Sequence, residues 1–304
     1  MTRRSHLRVG AALILSGALG AVALLILTRP LPLDGAALPA HTPDLADGEA
    51  LFHAGSCASC HEAAPGAPGA EQGLPTGSAA FPTPVGTFYP GNLTPDPETG
   101  IGRWSQLDFV NAVTQGLSPE GKHYFPAFPY PSFRSMPTDD VLDLHAFLLS
   151  LAAVRSPRRD PEVPMTALAR RGVGLWKRLA LEDRRLEADP ARSDSWKRGS
   201  YLTNGPGHCG ACHTPRSWLM IPDPSRHLAG GPHPGGKGSV PSLRGLALRG
   251  RYKDASDLTL ALRFGETLGY DGLSSGDMAK IQMNLAKLPE SDVEAISEYL
   301  LSLE

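Results

Sequence analysis

Cysteine is rare in this sequence, four in 304 residues. Charge of one sign is also missing: 29 Lys and Arg stand against 31 Asp and Glu, a formal net charge of -2. Nucleic acid selects for strongly basic surfaces, so this balance excludes a nucleic-acid partner. No run sustains period-two alternation of apolar and polar residues, which argues against a sheet and for an all-α fold with long irregular loops. Aromatics are sparse at 7%, which leaves a small domain short of core material. Gly (33) and Pro (29) are abundant, yet 41% of residues are hydrophobic, so the chain does not read as disordered. Its length suits two domains of ~150 residues each.

The few cysteines are not scattered. They form Cys57-Ala-Ser-Cys60-His61 and Cys209-Gly-Ala-Cys212-His213, two copies of the C-x-x-C-H signature of covalent c-type haem attachment. Two thiols three positions apart on a helical turn reach the two vinyl groups of a haem, and the adjacent imidazole rises under the iron as proximal ligand. A zinc site would need further ligands for each pair, or a meeting of the two pairs across about 150 residues. A redox dithiol would sit at a strand-to-helix turn, and no buried strand precedes either motif. Neither alternative accounts for a histidine after the second cysteine both times. Two covalently bound haem c groups are therefore expected, and each would supply part of the missing core. Units of ~100 residues then become credible.

Residues 1–28 begin with Arg3, Arg4 and Arg8, followed by an uncharged run from Val9 to Leu27. That run is close to the ~20 residues a helix needs to cross a bilayer. It reads as a retained signal anchor or transmembrane helix, arginines inside and the remainder of the chain outside the cytoplasmic membrane. Prolines 30, 32, 39 and 43 make residues 29–43 a semi-extended linker. The first haem unit, 44–153, opens with a short helix capped by Asp44 and passes through a Gly/Pro-rich loop, 63–102, suited to wrap a haem. The spacing then predicts a helix over 104–116 and another capped at Thr138 and running to Leu151. Residues 154–195 are an interdomain segment with a helix over 166–185, Leu168, Leu175, Trp176 and Leu179 forming its apolar face. Its basic residues, among them Arg170, Arg171, Lys177 and Arg178, read as a solvated face or a docking surface. The second unit, 196–304, repeats the order of lead-in helix, haem motif, long loop, middle helix (Asp257 to Phe264) and closing helix (from Ser291).

A thioether is the expected sixth ligand in each unit. Met136 is the only methionine between the anchor and residue 150, with His123 and His145 as competitors. For the second iron, Met278, Met283 and Met220 are candidates; Met220 and His208 lie too near the attachment motif to reach the opposite face.

Several stretches carry a resemblance: Gly86-Thr-Phe-Tyr, Asn92-Leu-Thr-Pro-Asp, Thr99-Gly-Ile-Gly, Tyr124-Phe-Pro-Ala-Phe-Pro-Tyr-Pro-Ser-Phe, and Arg198-Gly-Ser-Tyr-Leu through Cys212-His-Thr-Pro-Arg. From Asp44 onward the chain resembles the membrane-associated cytochrome c subunits of bacterial periplasmic alcohol, gluconate and aldehyde dehydrogenases. The resemblance implies an all-α protein with two class I cytochrome c-like domains in tandem behind one N-terminal transmembrane helix. It implies that Cys57, Cys60, Cys209 and Cys212 hold haem, that His61 and His213 are proximal, and that Met136 is distal. The family's Gly-Gly-Met-Ala pattern falls on Gly276-Asp277-Met278-Ala279, which favours Met278 over Met283. Such subunits typically carry three haems, whereas two units are legible here.

The function expected is single-electron transfer by a membrane-anchored dihaem cytochrome. The donor would be a periplasmic dehydrogenase, and the acceptor another cytochrome, a quinone or a terminal oxidase. The rival is a dihaem redox enzyme of the peroxidase or thiosulfate dehydrogenase type. That would require an open or displaceable iron position, whereas each unit offers a methionine and no cysteine is left over.

Overall fold

The computed structural model describes residues 3–35, 38–163, 167–181, 189–236, 238–250, 252–265 and 276–304. Its first element is α1, Arg3–Leu27. The window Gly10–Leu27 has a mean hydropathy of 2.4 and none of it is buried against protein. Leu13, Ile14, Leu15 and Leu19 are all more than 60% exposed, a cost in water that a lipid surrounding would remove. The helix ends at Thr28, whose hydroxyl bonds back to Leu24 O at 2.7 Å, and Pro30 follows.

The first core is built on two crossing helices. Asp44 caps α2 (Leu45–Ala54) by accepting from the amides of Ala46 and Asp47. The helix lies against α6 (Thr138–Ser150), and Gly48 is what lets them meet. A Cβ there would lie 2.2 Å from Asp143 O and 2.8 Å from Phe147 Cβ. Between them come α3 (Cys57–His61), α4 (Gln106–Val110) and α5 (Tyr130–Phe133). Leu51, Phe52, Phe109, Val110, Phe133, Met136, Val141 and Leu148 are buried together.

The second core repeats this plan. Ser193 caps α8 (Asp194–Asn204), which crosses α12 (Glu290–Leu301). Gly199 occupies the crossing, where a Cβ would lie 1.9 Å from Ala295 O. Here α9 (Gly210–His213), α10 (Ala255–Phe264) and α11 (Gly276–Leu285) complete the unit. Leu202, Leu228, Leu246, Leu258, Val293 and Ile296 lie at its centre. The two cores adjoin, because Ala54 of α2 is buried in the second and Tyr201 of α8 packs on both. Tyr201 also donates to the Asp140 carboxylate, and Arg198 pairs with Asp292 at 2.8 Å and approaches Asp47 at 3.8 Å.

Four local expectations need correction. The helix expected over 104–116 is two pieces, α4 capped by Ser105 and a π-helical turn Asn111–Gln115 that ends at left-handed Gly116. A Cβ on Gly116 would strike the Tyr130 ring at 2.6 Å, so the wider turn seats this glycine against the aromatic wall. Thr138 does not cap α6; Pro137 precedes it and no side-chain cap bond forms. The long loops each contain a small antiparallel hairpin, β1 (Phe81–Thr83) with β2 (Gly86–Phe88), and β3 (Gly231–Pro232) with β4 (Ser239–Val240).

The fourth concerns the interdomain helix, α7, Ala167–Ala180. The apolar face expected at Leu175 and Leu179 is 37% and 62% exposed, whereas Val173 is buried. Gly174 turns the helix, since it brings the backbone against Thr28 O and the His123 ring. The charges are not a merely solvated face. Arg170 donates to His123 O at 3.0 Å, Lys177 to Gln115 O and Gly116 O at 2.6 and 2.8 Å, and Arg178 to Leu27 O at 2.6 Å. Lys177 and Arg178 satisfy carbonyls at the ends of the π-helical turn and α1, which have no intrahelical partner. Leu168 lies outside the residues whose side chains are described.

Candidate haem centres

Each C-x-x-C-H motif forms a single helical turn entered through a left-handed residue, Ser56 at φ 47° and His208 at φ 39°. Neither is glycine, so each turn carries local strain that the surrounding structure must hold. The chain then loops back identically. Gly77 N donates to His61 O at 2.9 Å, and Gly230 N to His213 O at 2.7 Å. Leu93 N donates to Pro75 O and Leu243 N to Leu228 O, both at 2.9 Å. Gly77 and Gly230 have φ of 72° and 71°. A Cβ would come within 2.3 Å of Pro90 O at the first and 2.5 Å of Ser242 N at the second. Only glycine fits either position.

These loops deliver the acceptors that matter for the imidazoles. His61 Nδ1 bonds Gly91 O at 2.7 Å, and His213 Nδ1 bonds Pro241 O at 2.8 Å. A carbonyl only accepts, so Nδ1 carries the proton and Nε2 the lone pair, the tautomer that a metal requires. Burial holds both imidazoles below their ordinary pKa and hence neutral.

No disulfide joins any two of the four cysteines. Burial pushes Cys57 and Cys209 up to about 12 and Cys60 to about 11. A redox dithiol needs a depressed value, so that alternative loses its chemistry here. Among the described residues no three His, Cys, Asp or Glu side chains converge as a metal site, which removes support for zinc. Paired half-buried thiols, a neutral histidine with a free Nε2 and a thioether in the same core are the donor set of haem c, and the residues fit that group.

On the distal side of the first unit, Met136 is 7% exposed and lies in the core against which Cys57 and Ala58 pack. Its competitors are each held by a different contact, though each keeps one buried ring nitrogen without a partner. His123 Nε2 is 3.0 Å from Thr28 O, beside the end of α1. His145 stacks on Phe109 with ring centroids 4.5 Å apart. Phe128, Tyr130 and Phe133 contact edge to face and wall the same core. In the second unit Met278 lies in the first turn of α11. It is half-buried and packs, like Cys209, on the second core. Met283, on the same helix, is 61% exposed. Met220 sits at φ 59° in a surface turn and is 42% exposed. The ring of His208 is held by Pro206 O at 2.9 Å and edges onto Phe133 at 5.5 Å.

The two motifs are also close to each other. Lys280 of α11 bonds Glu62 at 2.5 Å, and Asn284 of the same helix donates to Ser59 Oγ at 3.0 Å. The helix that carries Met278 therefore rests on the attachment turn of the other unit. Burial and the carboxylate of Asp277 raise both Cys60 and Cys212. Sequence reading missed α11 as a contact between the units, the glycines of the crossings, and the carbonyl acceptors of His61 and His213. The available signal was Gly48 and Gly199, which precede their motifs by nearly equal intervals; the backbone acceptors leave no side-chain signature.

Residues 45–152 match the cytochrome c family. The chain is 40% identical over 299 residues to a diheme cytochrome c-type protein of Cereibacter sphaeroides, covering 98% of this chain and 97% of that protein. It is 37% identical to one subunit of the nicotinate dehydrogenase of Pseudomonas putida, spanning all of this chain but 25% of that protein. The fructose dehydrogenase cytochrome subunit of Gluconobacter japonicus is 32% identical over 90% of this chain and 56% of its own length.

Proposed function

The chain belongs to the cytochrome c family, and on that footing we propose that it is a membrane-anchored dihaem c-type cytochrome passing single electrons from a periplasmic dehydrogenase toward the respiratory chain. Covalent haem c and electron transfer are the family's chemistry; the anchor, the count of two, the direction and the partner belong to this proposal. One observation carries it. Two C-x-x-C-H turns sit in two cores of like plan, each with its histidine tied through Nδ1 to a backbone carbonyl.

The residues divide the work. Cys57 and Cys60 hold one haem, Cys209 and Cys212 the other. His61 with Met136, and His213 with Met278, are the proposed axial pairs, and exposure of Met283 supports this choice. When bound, haem supplies one-electron chemistry, and His/Met ligation raises its potential. The protein fixes the imidazoles, excludes water with Tyr130, Phe133 and Leu202, and spaces the two groups. The domains proposed are 44–153 and 196–304, joined by α7, with α1 in the cytoplasmic membrane. The dehydrogenase donor is supported by the names of the relatives, and the acceptor is another cytochrome, a quinone or a terminal oxidase.

A pyridine haemochrome assay tests the core of this reading. Two c-type haems per chain are expected; a single haem breaks the proposal. Mixing the reduced protein with candidate acceptors then tests direction.

A further inference from the structure

A cavity of about 560 Å³ opens where α1 ends, with Thr28 and Pro30 on one wall. Arg158, Arg170, Arg171 and Lys122 line it, with the carboxylates of Glu120 and Asp160, so cations exceed anions by four to two. His123 is 5% exposed, and its Nδ1 is buried without a hydrogen-bond partner while the other ring nitrogen is held by Thr28 O. That nitrogen is a polar atom the fold leaves unpaired beside the cavity.

The surroundings are those of a lipid boundary. Arg178 donates to Leu27 O, the last residue of α1. Leu175 and Leu179, exposed and one turn apart, continue the line of Arg171 along α7. Trp176 Nε1 bonds Leu219 O at 2.8 Å and so ties to α7 the loop that presents Trp218, 89% exposed. Exposed tryptophan beside basic residues is the composition of a membrane interface.

We propose that this cavity holds the headgroup of an anionic phospholipid bearing hydroxyls, of the phosphatidylglycerol kind. Arg158 and Arg171 take the phosphate through charge-assisted bonds. Glu120 and Asp160 accept from the hydroxyls, and the acyl chains run beside α1 and the Leu175–Leu179 stripe. The site rests on the membrane-anchored reading given above.

The test uses the full-length holoprotein in mild detergent, delipidated and offered phosphatidylglycerol, phosphatidylethanolamine or phosphatidylcholine. Native mass spectrometry counts the lipids retained per haem-loaded chain. Wild type keeps one phosphatidylglycerol even in millimolar inorganic phosphate. The exposed double variant R158Q/R171Q keeps roughly tenfold less. R155Q, outside the cavity and paired with Glu98, behaves as wild type. Undiminished retention by the double variant, equal retention of the other two lipids, or displacement by free phosphate overturns the site. A soluble or haem-free chain instead breaks the membrane-cytochrome reading, and the site with it. A membrane-bound, haem-loaded chain that keeps no lipid breaks the site alone.

Discussion

The two units agree closely on one side of the proposed haems and diverge on the other. On the proximal side the agreement extends to individual backbone bonds, with Gly77 and Gly230, Leu93 and Leu243, and the acceptors Gly91 O and Pro241 O in matched places. On the distal side Met136 lies in the short link between α5 and α6, whereas Met278 rides on α11, a helix that also grips the first unit through Glu62 and Ser59. An imidazole must present one nitrogen in one orientation, so its support is reproduced atom by atom. A flexible thioether can be delivered from a loop or a helix, so that side is free to take on another task. In the second unit the added task is contact between the units.

The largest effect should come from the attachment cysteines. C209A/C212A is expected to halve haem content in a pyridine haemochrome assay and leave the first haem's spectrum in place. C57A/C60A should also disturb the second unit, because α11 rests on the first motif. Indistinguishable losses from the two double variants would mean that the units are independent.

Removing the proposed distal ligands comes next. M136A and M278A should each remove about half of the weak long-wavelength absorption of thioether-ligated ferric haem and lower one potential. M283A should leave both unchanged. A loss in M283A with none in M278A would transfer the second ligand.

The crossing glycines test whether the shared plan is equally tight. G199A and G48A should each cost about 3 kcal/mol in denaturant unfolding followed at the haem band, the first more because its carbonyl is closer. G172A, with nothing within 4 Å, should be neutral or slightly stabilising.

Acid should weaken the first core through His145. Burial holds His145 down to about 4, below its unfolded value of about 6.5. Its folded form therefore resists a proton that the unfolded chain accepts, and stability falls as pH drops from about 6.5 toward 4. The cost at about pH 5 is roughly 2 kcal/mol, borne by the first core, and H145Q should flatten the pH profile of unfolding. The smallest effect belongs to K280Q, which removes an exposed pair worth less than about 1 kcal/mol.

Legibility followed how local each feature is. The long apolar N-terminal helix, the capped lead-in helix at Asp44, the closing helices and both C-x-x-C-H motifs rest on residue types at short spacing, and all were readable in order. The face of α7 was misread because apolar periodicity marks Leu175 and Leu179, whereas Gly174 decides which side meets Thr28. Its basic residues were misread too, because the carbonyls they satisfy belong to segments far away in the chain.

Residue identity alone therefore determined what chemistry the chain carries: four thiols and two histidines at the spacing of haem c, and an apolar run long enough for a membrane. Tertiary structure decided which imidazole nitrogen is left free, that Met278 is half-buried while Met283 faces solvent, and that α11 joins the two units. Those outcomes depend on backbone carbonyls and packing between residues distant in sequence, and only the folded chain brings them together.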